Sequence, residues 1–312
     1  MPDTAYKSVV IPVYNEEGNI RPLFERLYPV MTNCGKPFEI LFTDDGSRDR
    51  SLAILKELAQ KHPQVKVIEF NGNFGQHMAI LAAFEKSSGE IVITLDADLQ
   101  NPPEEIPKLV VEMEMGHDVV GSIRQKRQDT IFRKTASWLV NVLTRKMTGM
   151  KMTDYGCMLR AYHRNVVNNI NRCQETTTFI PALAQTFAAN PSEVEVAHAE
   201  RAEGESKYSL YKLVRLNFDL MTGFSVVPLQ IFALLGILTA LFAVAFAIFL
   251  LVRRFIVGAE VEGVFTLFAI LFFFLGITIF GIGIVGEYVG RIYQEVRRRP
   301  RFVVRRTYGF EE

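Results

Sequence analysis

Asp96-Ala97-Asp98-Leu99-Gln100-Asn101-Pro102-Pro103 sets two carboxylates and a side-chain amide within five residues. The run follows Ile91, Val92, Ile93 and Thr94, a β-branched stretch that reads as a buried strand ending where the acids begin. On an extended backbone, side chains two apart leave from the same face. Asp96 and Asp98 therefore converge, and the Gln100 amide oxygen follows as the chain turns toward Pro102. An all-oxygen donor set suits Mg2+ or Mn2+, which keeps positions open for water and for the phosphate oxygens of a substrate. A nucleotide diphosphate is the natural occupant. Asp-x-Asp alone recurs by chance, so the weight falls on the elements around it.

Those elements are strands near 8–13, 38–43, 65–70, 90–95 and 118–123, alternating with helices near 17–33, 48–61, 76–88 and 104–115. The alternation predicts an α/β fold with a mostly parallel sheet covered on both faces. Ligands of such sheets gather at the carboxyl ends of the strands. There the sequence puts Tyr14, Glu16, Asp44, Asp45, Asn73, Asp96 and Asp98. No Walker-type Gly-rich loop follows any strand, which argues against a kinase or ATPase. Gly281-Ile282-Gly283-Ile284-Val285-Gly286 spells a dinucleotide fingerprint, but it lies in an apolar run with no strand before it. Its glycines are better suited to close helix approach.

The chain of 312 residues has a net charge of +1, so composition gives no general case for nucleic acid as a partner. Cys34, Cys157 and Cys173 are odd in number and lack metal-ligand spacing, and they read as reduced residues of a cytosolic domain. No apolar leader precedes the first strand, so no cleaved signal peptide is expected. Residues 229–252 and 264–286 are each long enough to span a bilayer core of about 30 Å. Arg291, Arg297, Arg298, Arg299, Arg301, Arg305 and Arg306 follow the second span, while Lys207, Lys212 and Arg215 precede the first. By the positive-inside rule both flanks are cytoplasmic, although Arg253 and Arg254 in the short external loop oppose this. Two amphipathic stretches, 131–147 and 209–227, read either as interfacial helices or as helices packed on the sheet. The expected organisation is thus a cytoplasmic domain over 1–208, a juxtamembrane helix over 209–227, two spans, and a basic tail over 287–312.

Ser8-Val9-Val10-Ile11-Pro12-Val13-Tyr14-Asn15-Glu16, Ile40-Leu41-Phe42-Thr43-Asp44-Asp45-Gly46-Ser47 and the acidic octet, in that order, resemble the nucleotide-sugar domain of family 2 inverting glycosyltransferases, a GT-A fold. Phe132-Arg133-Lys134-Thr135-Ala136-Ser137, Asp154-Tyr155-Gly156-Cys157-Met158-Leu159-Arg160-Ala161-Tyr162 and Gly204-Glu205-Ser206-Lys207-Tyr208-Ser209 narrow the likeness. They resemble polyprenyl-phosphate glycosyltransferases related to dolichyl-phosphate mannose synthase, in particular those moving 4-deoxy-4-formamido-L-arabinose to undecaprenyl phosphate. The likeness covers nearly the whole chain. It implies a UDP-sugar donor, an undecaprenyl phosphate acceptor, Mg2+ or Mn2+, membrane lipids around a homotetramer, and a place in the bacterial inner membrane. Glucose or N-acetylglucosamine are the alternative sugars. A membrane-bound UDP-sugar sensor or scaffold and a lipid flippase are the rivals of another class.

The resemblance also implies roles. Asp96, Asp98 and Gln100 hold the metal, with Asp96 shared with the nucleotide. Pro12, Tyr14, Glu16 and Asp44 hold the uridine: Tyr14 by apolar contact, Asp44 by accepting from the uracil imide. Pro12 as a strand end and Glu16 as a first-turn helix residue are their local readings. Arg124, Arg127, Arg133, Lys134 and Arg201 grip the acceptor phosphate, Lys207 closes over the pyrophosphate, and two of these six are expected to be solvated surface charges. Asp154 joins Asp96, Asp98, Arg124 and Arg127 as catalytic, orienting sugar or phosphate, or else pairs with Arg160. His77 and His198 have no partner at ligand spacing and read as packing or surface residues. Processive synthases carry Gln-x-x-Arg-Trp, whereas here Trp138, the one tryptophan, follows Ser137. A polymerase is therefore not expected.

Overall fold

A computed structural model describes residues 5–124, 157–173, 179–197, 226–257, 264–297 and 299–310. The stretches 131–147 and 209–225 lie outside them, as does most of the expected juxtamembrane helix. The chain divides into two units. One comprises 1–141, 150–207 and 299–312, and the other 142–149 and 208–298.

In the first unit β1 (Lys7–Val13), α1 (Ile20–Asn33), β2 (Phe38–Asp44), α2 (Ser51–Lys61), β3 (Val65–Phe70), α3 (Gln76–Lys86) and β4 (Ile91–Thr94) alternate as expected. A 3-10 turn at Pro103–Glu105 leads into α4 (Ile106–Glu114), then β5 (Val119–Arg124), β6 (Arg160–His163), α5 (Arg164–Arg172), α6 (Ile180–Phe187) and β7 (Pro191–Val196). The sheet order is β7-β5-β6-β4-β1-β2-β3-β8, where β8 is Val304–Tyr308. Only β6 and β8 run antiparallel to their neighbours. Period-two alternation divides the core between the faces. Val9, Ile11, Val13, Ile40 and Phe42 pack with Leu23, Leu27 and Met31 of α1, Leu55 of α2 and Leu109 of α4. Val10, Leu41, Ile68 and Val92 pack with Ile80 and Phe84 of α3, Val167 and Ile170 of α5 and Leu183 of α6. Central parallel strands buried on both sides explain the apolar runs from which they were readable.

The expected basic tail needs correction. Its first part continues a helix, and its end is a strand hydrogen-bonded to β3, from Val67 opposite Tyr308 to Phe70 opposite Val304. Without it β3 would be an open edge, and Val304, Arg305, Arg306, Thr307 and Tyr308 include the β-branched and aromatic residues that suit a pleated surface.

The second unit holds α7 (Val227–Val257) and α8 (Val264–Val296), both longer than the expected spans. Their apolar windows, Leu229–Phe246 and Ile270–Val296, have mean hydropathies of 2.4 and 2.2 and are 0% and 6% buried. Each helix is long and apolar enough to cross a membrane. Arg253 lies inside α7 and not in a loop. The rejected dinucleotide fingerprint is helical throughout. A Cβ on Gly281 would fall 1.8 Å from the ring of Phe232 on α7, so this glycine permits the two helices to approach.

Candidate active site

Strand register brings the acids to one level. Val13 pairs with Asp44 and Asp44 with Glu69, while Val10 pairs with Thr94, where β4 ends and the turn carrying Asp96 and Asp98 begins. Ile93 and Val120 both face Ala161 across β6, and β5 runs on from Val120 to end at Arg124 on the same side of the sheet. Asp44, Glu69, Asp96, Asp98 and Arg124 therefore share the carboxyl edge of the sheet, where α/β folds bind ligands.

At the β1 and β2 ends two loops are laced together. Asn15 N donates to Ser47 Oγ at 3.0 Å and Arg48 N to Asn15 Oδ1 at 2.8 Å. Glu16 N donates to Ser51 Oγ at 2.9 Å, and Glu17 N to Asp49 Oδ2 at 3.2 Å. Asn15 holds φ 55°, a left-handed conformation that Asn adopts more readily than most residues. Gly46, at φ +72°, lets this lacing meet the loop after β3, because a Cβ there would lie 2.6 Å from the backbone of Gly72.

Between these loops is a cavity of about 310 Å3, lined among others by Tyr14, Asp44, Ser47, Glu69, Asn71 and Arg305. Asp44 is buried; its Oδ2 accepts from Ser47 N at 3.3 Å, and its Oδ1 has no hydrogen-bond partner among the described residues. Burial pushes its carboxyl above the usual range, and the charge of Glu69 adds to this. A buried acceptor without a donor, on the wall of a cavity, is a site for a ligand N–H. Tyr14 is 42% exposed and offers its ring to the same space. Pro12 keeps to its local reading near the end of β1, whereas Glu16 does not, since α1 begins at Ile20 and its first turn holds no acidic residue. Pro12 sits in β1 beside Thr43, and Glu16 Oε2 accepts from Asn19 Nδ2 at 2.6 Å in the turn entering α1; neither lines the cavity. Asp45 supports the site from behind, accepting Phe74 N at 2.6 Å and Gly75 N at 2.9 Å and so fixing the approach to α3.

Beyond the end of β4 the chain is not extended as the sequence led one to expect but turns at Ala97 and Asp98; Asp96 and Asp98 are half-buried while Ala97 between them is buried. Gln76 Nε2, from the first turn of α3, donates to Asp96 Oδ1 at 2.6 Å. Asp98 Oδ1 accepts from Gln100 N at 3.2 Å. Between them Leu99 has φ 62°, a conformation costing a branched side chain on the order of 1–3 kcal/mol. The strain turns the chain sharply enough to bring Gln100 back beside Asp98. Among the described residues no group of three His, Cys, Asp or Glu forms here. Two carboxylates and an amide fit a divalent ion that completes its shell with diphosphate oxygens and water, as Mg2+ does.

Arg124 ends β5 half-buried at the same edge. Arg127, Arg133, Lys134, Asp154, Arg201, Lys207 and His198 lie outside the described residues. Arg160, the alternative partner of Asp154, is fully buried and donates Nε to Cys157 O at 2.8 Å. His77 packs edge-on against Phe179 at 5.2 Å, and burial holds its pKa at about 4, so it is neutral. Sequence reasoning missed Gln76, Glu69 and Arg305. Glu69 stands beside Asp44 on β3, and Arg305 is brought in by β8, whose basic residues hid the strand.

A family model described as Glycosyl transferase family 2 matches residues 8–170. An undecaprenyl-phosphate 4-deoxy-4-formamido-L-arabinose transferase of Pectobacterium atrosepticum is 52% identical over 305 residues, 96% of this chain and 93% of that protein. The protein of the same description from Pseudomonas aeruginosa is 52% identical over 303 residues, covering 96% and 89%. Among solved structures, glucosyl-3-phosphoglycerate synthase from Mycobacterium tuberculosis, in complex with Mn2+, UDP and glucosyl-3-phosphoglycerate, shares the fold. Its TM-score is 0.50 at 18% identity, over 70% of this chain and 78% of that one.

Proposed function

The chain belongs to glycosyl transferase family 2, and from that premise we propose that it transfers 4-deoxy-4-formamido-L-arabinose from a UDP-sugar to undecaprenyl phosphate. Relatives half identical over nearly their full length carry that name, which supports the sugar and the lipid. The observation that carries the donor half is Asp44 Oδ1, a buried acceptor without a partner on a cavity wall. Uracil offers one N–H between two carbonyls, and Asp44 takes it while Tyr14 covers the ring. From β2 to β4 is two strand spacings, roughly 10 Å. A ribose and diphosphate cross that distance along the edge and bring the phosphates to Asp96 and Asp98.

In the transfer, the bond from the anomeric carbon to the UDP oxygen breaks, its electron pair leaving with UDP. A lipid phosphate oxygen bonds to that carbon from the opposite side, inverting it. A phosphate monoester has a second pKa near about 6 and is already ionised at neutral pH, so no side chain need take a proton. Asp96, Asp98 and Gln100 would hold a divalent ion, which when bound would neutralise the charge of the departing diphosphate. The remaining task is to bring two anions together. We assign it to Arg124, Arg127, Arg133, Lys134 and Arg201 on the acceptor and Lys207 on the pyrophosphate, with Asp154 orienting sugar or phosphate.

We further propose that α7 and α8 form a two-span hairpin in the inner membrane with both flanks cytoplasmic, in a homotetramer. In support, the chain leaves the sheet unit before α7 and rejoins the same sheet as β8 after α8. The test is UDP release by the purified full chain with undecaprenyl phosphate, Mg2+ or Mn2+, and a panel of UDP-sugars. Lipid-dependent release with the 4-formamido-arabinose donor, abolished by EDTA, is the expected result. Release with UDP-glucose or UDP-N-acetylglucosamine instead replaces the sugar, and UDP binding without release from any donor favours a sensor.

A further inference from the structure

We propose that Arg305, beyond the membrane helices, reads a carbonyl of the nucleotide's base, so that the C-terminal strand is part of the donor site. The inference rests on the reading of the cavity as a uridine site. Four observations carry it. First, Arg305 lines the same cavity as Tyr14 and Asp44, although 261 positions separate it from Asp44 (305 − 44). Second, Arg305 is the extra residue of a β-bulge. Glu69 pairs with Arg306 and Phe70 with Val304, and Arg305 between them has no counterpart. Bulges re-aim a side chain and are common beside active sites.

Third, the strand is docked by other residues. Phe302 stacks on Phe70 with centroids 5.2 Å apart and planes 12° apart. Asn71 N donates to Val303 O at 3.1 Å, and Tyr308 Oη donates to Glu69 Oε2 at 2.6 Å. Arg305 is 67% exposed, and its pairing with Glu69 Oε1 at 3.3 Å is of the solvent-facing kind that adds little to stability. The pairing directs the guanidinium instead. Fourth, the row Asp44, Glu69, Arg305 crosses three adjacent strands, so Arg305 lies about 10 Å from Asp44 along the strand spacing, within reach of a long side chain over a base. With Asp44 accepting the N3–H, the groups beside that N–H are carbonyls, which need a donor. A guanidinium is one that cannot be deprotonated. A cytosine, with an acceptor at N3, would face the Asp44 carboxylate unfavourably, so the pair selects uracil.

The experiment is titration of the full-length protein in detergent with uridine and with UDP plus Mn2+, for the native chain, Arg305→Ala, Arg305→Gln and Arg48→Ala. Arg48 lines the cavity from the opposite loop and is the control. For Arg305→Ala we expect an affinity loss of roughly tenfold, the size of one charge-assisted hydrogen bond, and equal for uridine and UDP. The thermal midpoint of the ligand-free protein should stay unchanged, and Arg305→Gln should recover part of the affinity. A loss for UDP alone would make Arg305 a phosphate ligand and overturn the inference. Unchanged affinity, or a loss confined to Arg48→Ala, would overturn it too. Failure of the native chain to bind UDP at all would bring down the donor reading itself, a result distinct from the others.

Discussion

At the scale of single residues, the cavity is organised by a cost. Asp44 is ionised only against burial, so between the ordinary value of 3.8 and its raised native value the folded chain holds a proton that the unfolded chain has released. Stability therefore falls as pH rises through that window. Asp44→Asn removes the buried charge. We expect it to raise the ligand-free thermal midpoint at pH 7 by a few degrees, of order 2–4 °C for about 1 kcal/mol. The same change should weaken UDP by roughly tenfold, because a charge-assisted hydrogen bond becomes a neutral one. Calorimetry on one preparation reads both, and a fall in midpoint would contradict the account. Native UDP affinity should also decline in acid as Asp44 takes its proton, and Asp44→Asn should flatten that dependence. At the other end of the site, Asp98→Ala should abolish metal-dependent turnover by at least about a hundredfold while circular dichroism stays unchanged. Gln76→Ala is a gentler change. It frees the Asp96 carboxylate from a 2.6 Å hydrogen bond, and should raise the metal concentration needed for half-maximal rate without altering uridine affinity.

At the scale of elements, the turn at Leu99 and the closing strand β8 behave differently from the strands they adjoin. Leu99→Gly relieves the positive φ, and should leave stability within about 1 kcal/mol while loosening Gln100 beside Asp98, so turnover should fall more than the thermal midpoint. The strands β1 to β5 and helices α1 to α4 were legible because central parallel strands are apolar on both faces and the helices repeat at 3.6. β6 was not. Its first residue is Arg160, fully buried with its charge turned onto the backbone of Cys157, and so interrupts the apolar pattern. β7 begins at Pro191 and carries Glu193 and Glu195, as an edge strand can, and so resembled a loop. Within the site, Asp44, Tyr14 and the acidic pair were readable because short motifs name them. Gln76 and Glu69 acquire meaning only through partners distant in sequence, which spacing does not reveal.

At the scale of the whole molecule, membrane attachment and nucleotide binding are separable by design of the test. Replacing 226–297 with a flexible linker keeps β8, whereas stopping the chain after 225 removes it along with both helices. We expect the linker protein to bind UDP like the full chain yet fail to sediment with vesicles, and the shortened chain to lose UDP binding as well. Equal UDP binding by both would deny β8 any part in the site. Glu69, which burial pushes up but the Tyr308 hydrogen bond and Lys56, with the least part from Arg305, hold below the ordinary carboxylate range, ties β8 to the sheet chiefly through Tyr308. Because its folded value is lowered, that contribution is present at neutral pH and is lost as pH falls through the carboxylate range. The order of strands has a consequence in time. A chain leaves the ribosome from its N-terminus at about 5–20 residues per second, so β8 is made after both apolar helices. Most of the sheet can form early, but its β3 edge and the part of the cavity wall that Arg305 supplies wait for the residues beyond the two helices. A nascent chain stalled before the hairpin lacks β8 and with it the Arg305 side of the cavity, so on the proposed donor reading it should hold nucleotide sugar only weakly.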